Sequence, residues 1–201
     1  MPMPKAGSVT MCLMENVNVI TLVGMPGAGK SFCVNYLEKK GWPSVYFGGI
    51  TIQEVKKRGL EVNEENEKNV REDIRTKDGK AAYAKRVVSE INLLADSGAE
   101  TVIADGLYSW SEYKVFKEEF GERASIIAIT APRKVRHSRL ANRPVRPLTK
   151  EEVTSREYAE IENIEKGGPI ANADYTIGND GSTEKLISDL EAVLKEIGVS
   201  N

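Results

Sequence analysis

The chain has 201 residues, 40% of them hydrophobic and 29% charged, proportions that suit one compact domain with a substantial core. A net charge of -2 gives no basic field, which argues against nucleic acid or an anionic membrane as partner and makes any phosphate recognition local. The cysteines, Cys12 and Cys33, lack the spacing of a disulfide framework or a zinc site and point to the reducing cytoplasm.

Residues 1–15 hold one lysine and no apolar run of signal-peptide length. They are expected to form a flexible extension ahead of a single domain at 16–201, with Met11 or Met14 as alternative starts. No later stretch approaches the length of a membrane span. Residues 17–23, rich in β-branched side chains, predict the first strand, which ends at a glycine loop. A helix is expected over 31–40, stopped by Gly41, Trp42 and Pro43; a short strand over 45–47 follows and is broken by Gly48 and Gly49. Residues 51–98 are polar and helical in period, two or three helices with a turn or helix start at Asn63-Glu64-Glu65-Asn66, and form the expected insertion. A third strand covers 101–104 and ends at Asp105-Gly106, a helix occupies 109–120, and 124–130 is an apolar fourth strand. Pro132 opens another helix, and the prolines at 144 and 147 make 142–147 a loop before a charged helix over 149–166. Residues 173–177 predict the fifth strand, Asn179-Asp180-Gly181 a turn, and 183–197 a closing amphipathic helix. Short strands alternating with helices indicate an α/β fold whose parallel sheet is covered by helices.

Gly24-Met25-Pro26-Gly27-Ala28-Gly29-Lys30-Ser31 is a G-x-x-x-x-G-K-S string between a predicted strand and a predicted helix, the context a phosphate-binding P-loop requires. Glycines let backbone N–H groups turn inward around phosphate oxygens, the helix presents its positive end, Lys30 reaches outer phosphates and Ser31 can ligate magnesium. Asp105 leaves the end of a predicted strand, where open α/β sheets bind ligands. A carboxylate there either shapes the turn or stands near magnesium, and the P-loop favours the second role. Arg133, Arg136, Arg139, Arg143 and Arg146 crowd the helix and proline-rich loop that follow. Of these, Arg136, Arg139 and Arg143 recur at helical spacing on one expected face, as oxygen-gripping groups or as a solvated basic face paired with Glu151, Glu152 and Glu157. His137, the single histidine, has no nucleophile nearby to complete a catalytic set, and Trp42 and Trp110 read as packing residues.

The P-loop, Asp105-Gly106, the run Arg136-x-x-Arg139-Leu140-x-x-Arg143, and the segment from Ala173-Asp174-Tyr175 through Asp180-Gly181-Ser182 together resemble the nucleotide kinase group, which includes nucleoside monophosphate kinases and dephospho-coenzyme A kinases. Within it the chain is most similar to the archaeal adenylate-kinase-related proteins, from Asn18 to Leu194. The resemblance implies a three-layer P-loop kinase fold with five parallel strands, a helical acceptor-binding insertion at 51–98 and a short lid at 142–150. It implies ATP and Mg²⁺, held by Gly24, Gly27, Ala28, Gly29, Lys30, Ser31 and Phe32, with Ser31 and Asp105 on the metal. By the same resemblance Arg139 stacks on adenine, Arg143 touches phosphate, Asn179 and Gly181 lie in the turn against the base, Arg75 contacts the acceptor phosphate, and Arg156 serves the lid side. Lys30, Arg139 and Arg143 would then carry the catalysis.

Two positions depart from that pattern. Such kinases commonly place an aspartate after the second strand, where this chain has Gly48-Gly49, and the archaeal relatives tend to show arginine where Tyr108 stands. An acceptor that is already an ionised phosphate would not need the aspartate; transfer to a sugar hydroxyl, as in dephospho-coenzyme A, would suffer more from its loss. The expectation is therefore ATP-dependent phosphoryl transfer to a nucleotide-like small molecule. Its alternatives are dephospho-coenzyme A kinase and a nucleotide-binding switch or slow ATPase acting through a protein partner.

Overall fold

A computed structural model of the chain describes residues 17–144 and 147–199. The expected extension over 1–15, with Cys12, and two residues of the expected lid, Val145 and Arg146, lie outside the described residues. Five parallel strands form one sheet: β1 (Asn18–Val23), β2 (Ser44–Tyr46), β3 (Thr101–Asp105), β4 (Ala124–Thr130) and β5 (Tyr175–Gly178), in the order β2-β3-β1-β4-β5. Between them run α1 (Lys30–Lys39), α2 (Phe47–Lys57), α3 (Glu64–Asp78), α4 (Ala82–Asp96), α5 (Trp110–Phe120), α6 (Arg133–Ala141), α7 (Lys150–Glu162) and α8 (Gly167–Ala171), and α9 (Thr183–Ile197) closes the fold.

The three layers follow from the two-residue period of the strands. Val19 and Val23 of β1, Val102 and Ala104 of β3, and Ile126 and Ala128 of β4 face a core shared with α2 to α5. Their neighbours Ile20, Leu22, Ile103, Ile127 and Ile129 face the other way, onto Cys33 and Leu37 of α1 and onto Leu186, Leu190 and Leu194 of α9. Both faces are covered, so the strands read as continuous apolar runs. The i, i+4, i+8 spacing of the three α9 leucines gives that helix its single buried stripe. Asn63 caps α3 through its side chain, Ser109 and Glu112 form a capping box at α5, and Thr149 and Glu152 form another at α7.

Three expectations are corrected. Gly48 and Gly49 do not break a strand: β2 ends at Tyr46, and both glycines lie in the first turn of α2, which opens on the fully buried Phe47. The arginine face is shorter than its spacing suggested, because α6 ends at Ala141. Arg143 precedes Pro144, whose ring disfavours helical geometry at the residue before it. The charged helix expected over 149–166 stops at Glu162, and a separate short helix, α8, starts at Gly167. Among the described residues no helix is long and apolar enough to cross a membrane.

Candidate functional site

The central strand β1 delivers the glycine loop to the carboxyl edge of the sheet, with β3 on one side and β4 on the other. The loop is pressed against its surroundings. A β-carbon at Gly24 would strike the Ile129 carbonyl of β4, and one at Gly27 would strike the Arg136 carbonyl of α6; both glycines have positive φ. Ala28 N–H bonds the Met25 carbonyl at 3.1 Å, and Gly29, in left-handed conformation, stands at the amino end of α1. Nothing on Gly29 caps that end, so the first N–H groups of α1 stay available to an anion.

Asn179, the first residue of the turn after β5, clamps this loop. Its side-chain amide donates to the Ala28 carbonyl at 2.7 Å, its own N–H bonds Thr130 at 2.7 Å, and its side-chain oxygen accepts from Arg139 at 3.3 Å. Arg139 also reaches the Gly27 carbonyl at 3.5 Å. The structure thus brings Gly27, Ala28, Gly29, Arg139 and Asn179 together. Phe32 and Ser31 lie exposed on the first turn of α1, Gly181 is exposed in the turn, and Arg143 is half-buried in the loop after α6.

Lys30 and Asp105 meet across the edge of the sheet as an ion pair, with 14% and 13% of their side chains exposed. Both belong to this edge for a local reason: Lys30 is the first residue of α1, and Asp105 ends β3 in register with Leu22 of β1. Asp105 is also in register with Tyr46 of β2, which sets the end of β2 beside the pair.

Arg136 does not face the site as an anion grip. It is buried, donates to the Ala131 and Pro26 carbonyls at 3.1 and 3.2 Å, and pairs with Glu157. Glu157, a buried carboxylate on α7, also accepts from Arg133 at 2.9 Å and approaches His137 Nε2 at 3.1 Å. Burial raises its pKa, but His137, Arg133 and Arg136 together outweigh that and bring it down to about 2. Of the acids expected to pair with the basic helix, Glu157 does so, whereas Glu152 caps its own helix.

Arg75 lies at the far side of the insertion, its guanidinium 5.3 Å from the Tyr83 ring centre. With Lys80, Ser109, Asn163 and Glu165 it lines a cleft between α3 and the turn after α7. Beneath it Glu112 is fully buried; burial pushes its carboxyl up, and its second oxygen has no partner among the described residues.

Lys166 and Glu160 form the part of the edge that spacing could not reveal. Lys166 is 3% exposed, bonds Glu160 at 2.5 Å, and sets its ammonium 4.9 Å from the Tyr108 ring centre. Glu165 adopts φ 55, a left-handed conformation rare outside glycine, and the reversal it makes turns Lys166 inward. The Lys166 pKa is lowered, chiefly by burial, with Lys30 and Arg156 adding to it against Glu160.

A profile of the AAA domain family matches residues 20–164. The UPF0200 protein TK1334 of Thermococcus kodakarensis is 37% identical over 182 residues, 89% of this chain and 97% of that protein. A UPF0200 protein of Methanosarcina mazei is 38% identical over 127 residues, 63% of this chain and 66% of that protein. Among solved structures, TT1252 from Thermus thermophilus superposes with a TM-score of 0.64 at 22% identity, covering 90% of this chain and 98% of that one. The shikimate kinase of Acinetobacter baumannii in complex with shikimate gives 0.53 at 20% identity over 93% and 98% of the two chains. A gluconokinase from Sinorhizobium meliloti gives 0.54 at 12% over 91% and 97%. At these identities the likeness is one of fold, the three-layer fold of the P-loop kinases. Profile, relatives and the glycine loop at the end of β1 agree, and the chain belongs to the UPF0200 family of AAA-domain proteins.

Proposed function

We propose that the protein transfers the γ-phosphoryl group of ATP to a nucleotide-like small molecule whose accepting group is a phosphate. The observation that carries this is the meeting of Lys30, at the open amino end of α1, with Asp105, at the end of β3, beside the glycine loop. An acceptor oxygen attacks the γ-phosphorus while its bond to the β–γ bridging oxygen breaks, releasing ADP. Lys30, Arg139 and Arg143 offset the charge that spreads over the transferring group. Residues 51–98 receive the acceptor, with Arg75 toward its phosphate, and 142–150 close over the nucleotide.

Ser31 and Asp105 would hold Mg²⁺. A hydroxyl and a carboxylate are hard oxygen donors, a set that suits an ion taking one or two side chains and completing its shell with phosphate oxygens and water. When bound, the ion offsets charge on the β and γ phosphates.

The test is ADP formation by the purified protein with ribo- and deoxynucleoside monophosphates and dephospho-coenzyme A as acceptors. At least one monophosphate is expected to raise ADP formation well above the acceptor-free rate; no acceptor doing so refutes the kinase reading and leaves a nucleotide switch or slow ATPase.

A further inference from the structure

The glycine loop is held from behind by a buried ion pair. Arg136 donates through Nε to the Ala131 carbonyl at 3.1 Å. Its Nη1 carries two N–H groups, and that nitrogen bonds both the Pro26 carbonyl, at 3.2 Å, and Oε1 of Glu157. Arg133 and His137 meet the other carboxylate oxygen, Oε2, so among the described residues Oε1 serves Arg136 alone. A guanidinium is a rigid plane, and once Ala131 and Glu157 fix that plane, the second Nη1–H has one direction left, toward Pro26.

The Pro26 carbonyl decides where the next N–H points. The loop's peptide bonds are trans, and across a trans peptide the carbonyl and the following N–H point in opposite directions. Holding the Pro26 carbonyl against α6 therefore turns the Gly27 N–H away from α6. Asn179 does the same to the Ala28 carbonyl, which turns the Gly29 N–H away from the turn after β5. The peptide between them is used inside the loop, since the Ala28 N–H bonds the Met25 carbonyl. Gly27 and Gly29 both sit at positive φ, and glycine adds no steric bias of its own that would keep these planes in place.

We infer that Arg136 and Glu157 are positioning residues for the nucleotide phosphates: Glu157 orients Arg136, and Arg136 holds the Pro26 peptide so that the Gly27 N–H faces the anion site at the amino end of α1. A loop shaped before its ligand arrives loses less freedom on binding, and the difference appears as affinity. Neither side chain touches the nucleotide. The inference rests on the reading of the glycine loop as the donor site and adds to it what keeps the loop ready.

The test is calorimetry of the full chain with a non-hydrolysable ATP analogue and Mg²⁺, at pH 7 and at a temperature where circular dichroism shows each protein folded. Glu157→Gln keeps the side-chain shape, removes its charge, and is expected to raise the Kd about fivefold, the size of one ordinary hydrogen bond. Arg136→Lys, which cannot serve Ala131, Pro26 and Glu157 at once, is expected to raise it about tenfold. Because Glu157 acts through Arg136, adding Glu157→Gln to Arg136→Lys is expected to move the Kd by less than about twofold. Arg133→Gln breaks a bond to the same carboxylate but spares Oε1 and Pro26, so it is expected to lower the melting temperature and keep the native Kd. That contrast separates positioning of the loop from loss of stability, and it decides the matter by itself should Arg136→Lys fail to fold. A native Kd in Glu157→Gln overturns the inference while leaving the donor site in place. So does a further loss of the same size in the double variant, or a loss in Arg133→Gln equal to that in Glu157→Gln. A native protein that does not bind the analogue overturns both.

Discussion

The residue that ties most of the site together is one that touches no expected ligand. Glu157 holds Arg133, Arg136 and His137 from α7, and Arg136 in turn holds the Pro26 carbonyl of the glycine loop. A carboxylate held near pH 2 in the folded chain and near its ordinary value in the unfolded one adds stability that is fully present above the unfolded pKa. It is lost as pH falls from about 4.5 toward 2. The linkage amounts to about 3 kcal/mol, and part of it belongs to Arg133, whose own side chain is largely exposed. Glu157→Gln is therefore expected to lower the melting temperature at pH 7 and to flatten the acid limb of stability against pH between about 4.5 and 2. Thermal melts across that range check it, and parallel limbs for the two proteins would show that Glu157 is not the group titrating. The pairing with the basic face was legible as one of three choices, but the burial of Glu157 was not. Glu157 looked like one acid among several on a charged helix, and its burial depends on α7 packing against α6, which pairs residues 21 positions apart.

At the scale of elements, Gly48 sets a helix preference against a close contact. It lies in the first turn of α2, where alanine is the better helix former by up to about 1 kcal/mol, yet a methyl group there meets the Tyr46 ring. Tyr46 is exposed and can swing away, so Gly48→Ala is expected to hold or raise the melting temperature. Calorimetry of the two proteins checks it. A fall in stability would mean that the ring is fixed over the helix start. The same pair of glycines shows why sequence reading failed here: Gly-Gly after a strand reads as a break, and only the neighbouring ring shows that the missing side chain makes room for another. The strands and the glycine loop were legible because their signals are local. Cover on both faces writes each strand as a continuous apolar run, as at Val19-Ile20 and Ile126-Ile127, and the loop needs only a strand before it and a helix after it. Lys166 was not legible, because its inward turn depends on the left-handed Glu165, a residue whose chemistry does not announce that conformation.

For the whole molecule, the glycine loop is where ligand binding and folding stability should couple. In the structure Lys30 is engaged by Asp105, so nucleotide phosphates compete with that carboxylate for the ammonium. A ligand that binds only the folded chain adds about 2.7 kcal/mol at one hundred times its Kd. For a domain of this size each kcal/mol moves the melting temperature by roughly 2–4 °C, so saturating ATP with Mg²⁺ should raise it by about 5–10 °C. Lys30→Ala has two consequences that must be read separately. It leaves Asp105, 13% exposed, without its partner, which is expected to lower the ligand-free melting temperature modestly while the fold stays intact. It also removes the charge that answers the outer phosphates, which should erase most of the ATP-induced shift. The informative quantity is therefore the shift on adding nucleotide, compared between native and Lys30→Ala proteins whose far-ultraviolet circular dichroism agrees. A shift of full size in the variant would mean that nucleotide binds without Lys30, and the premise that the glycine loop is the donor site would fall.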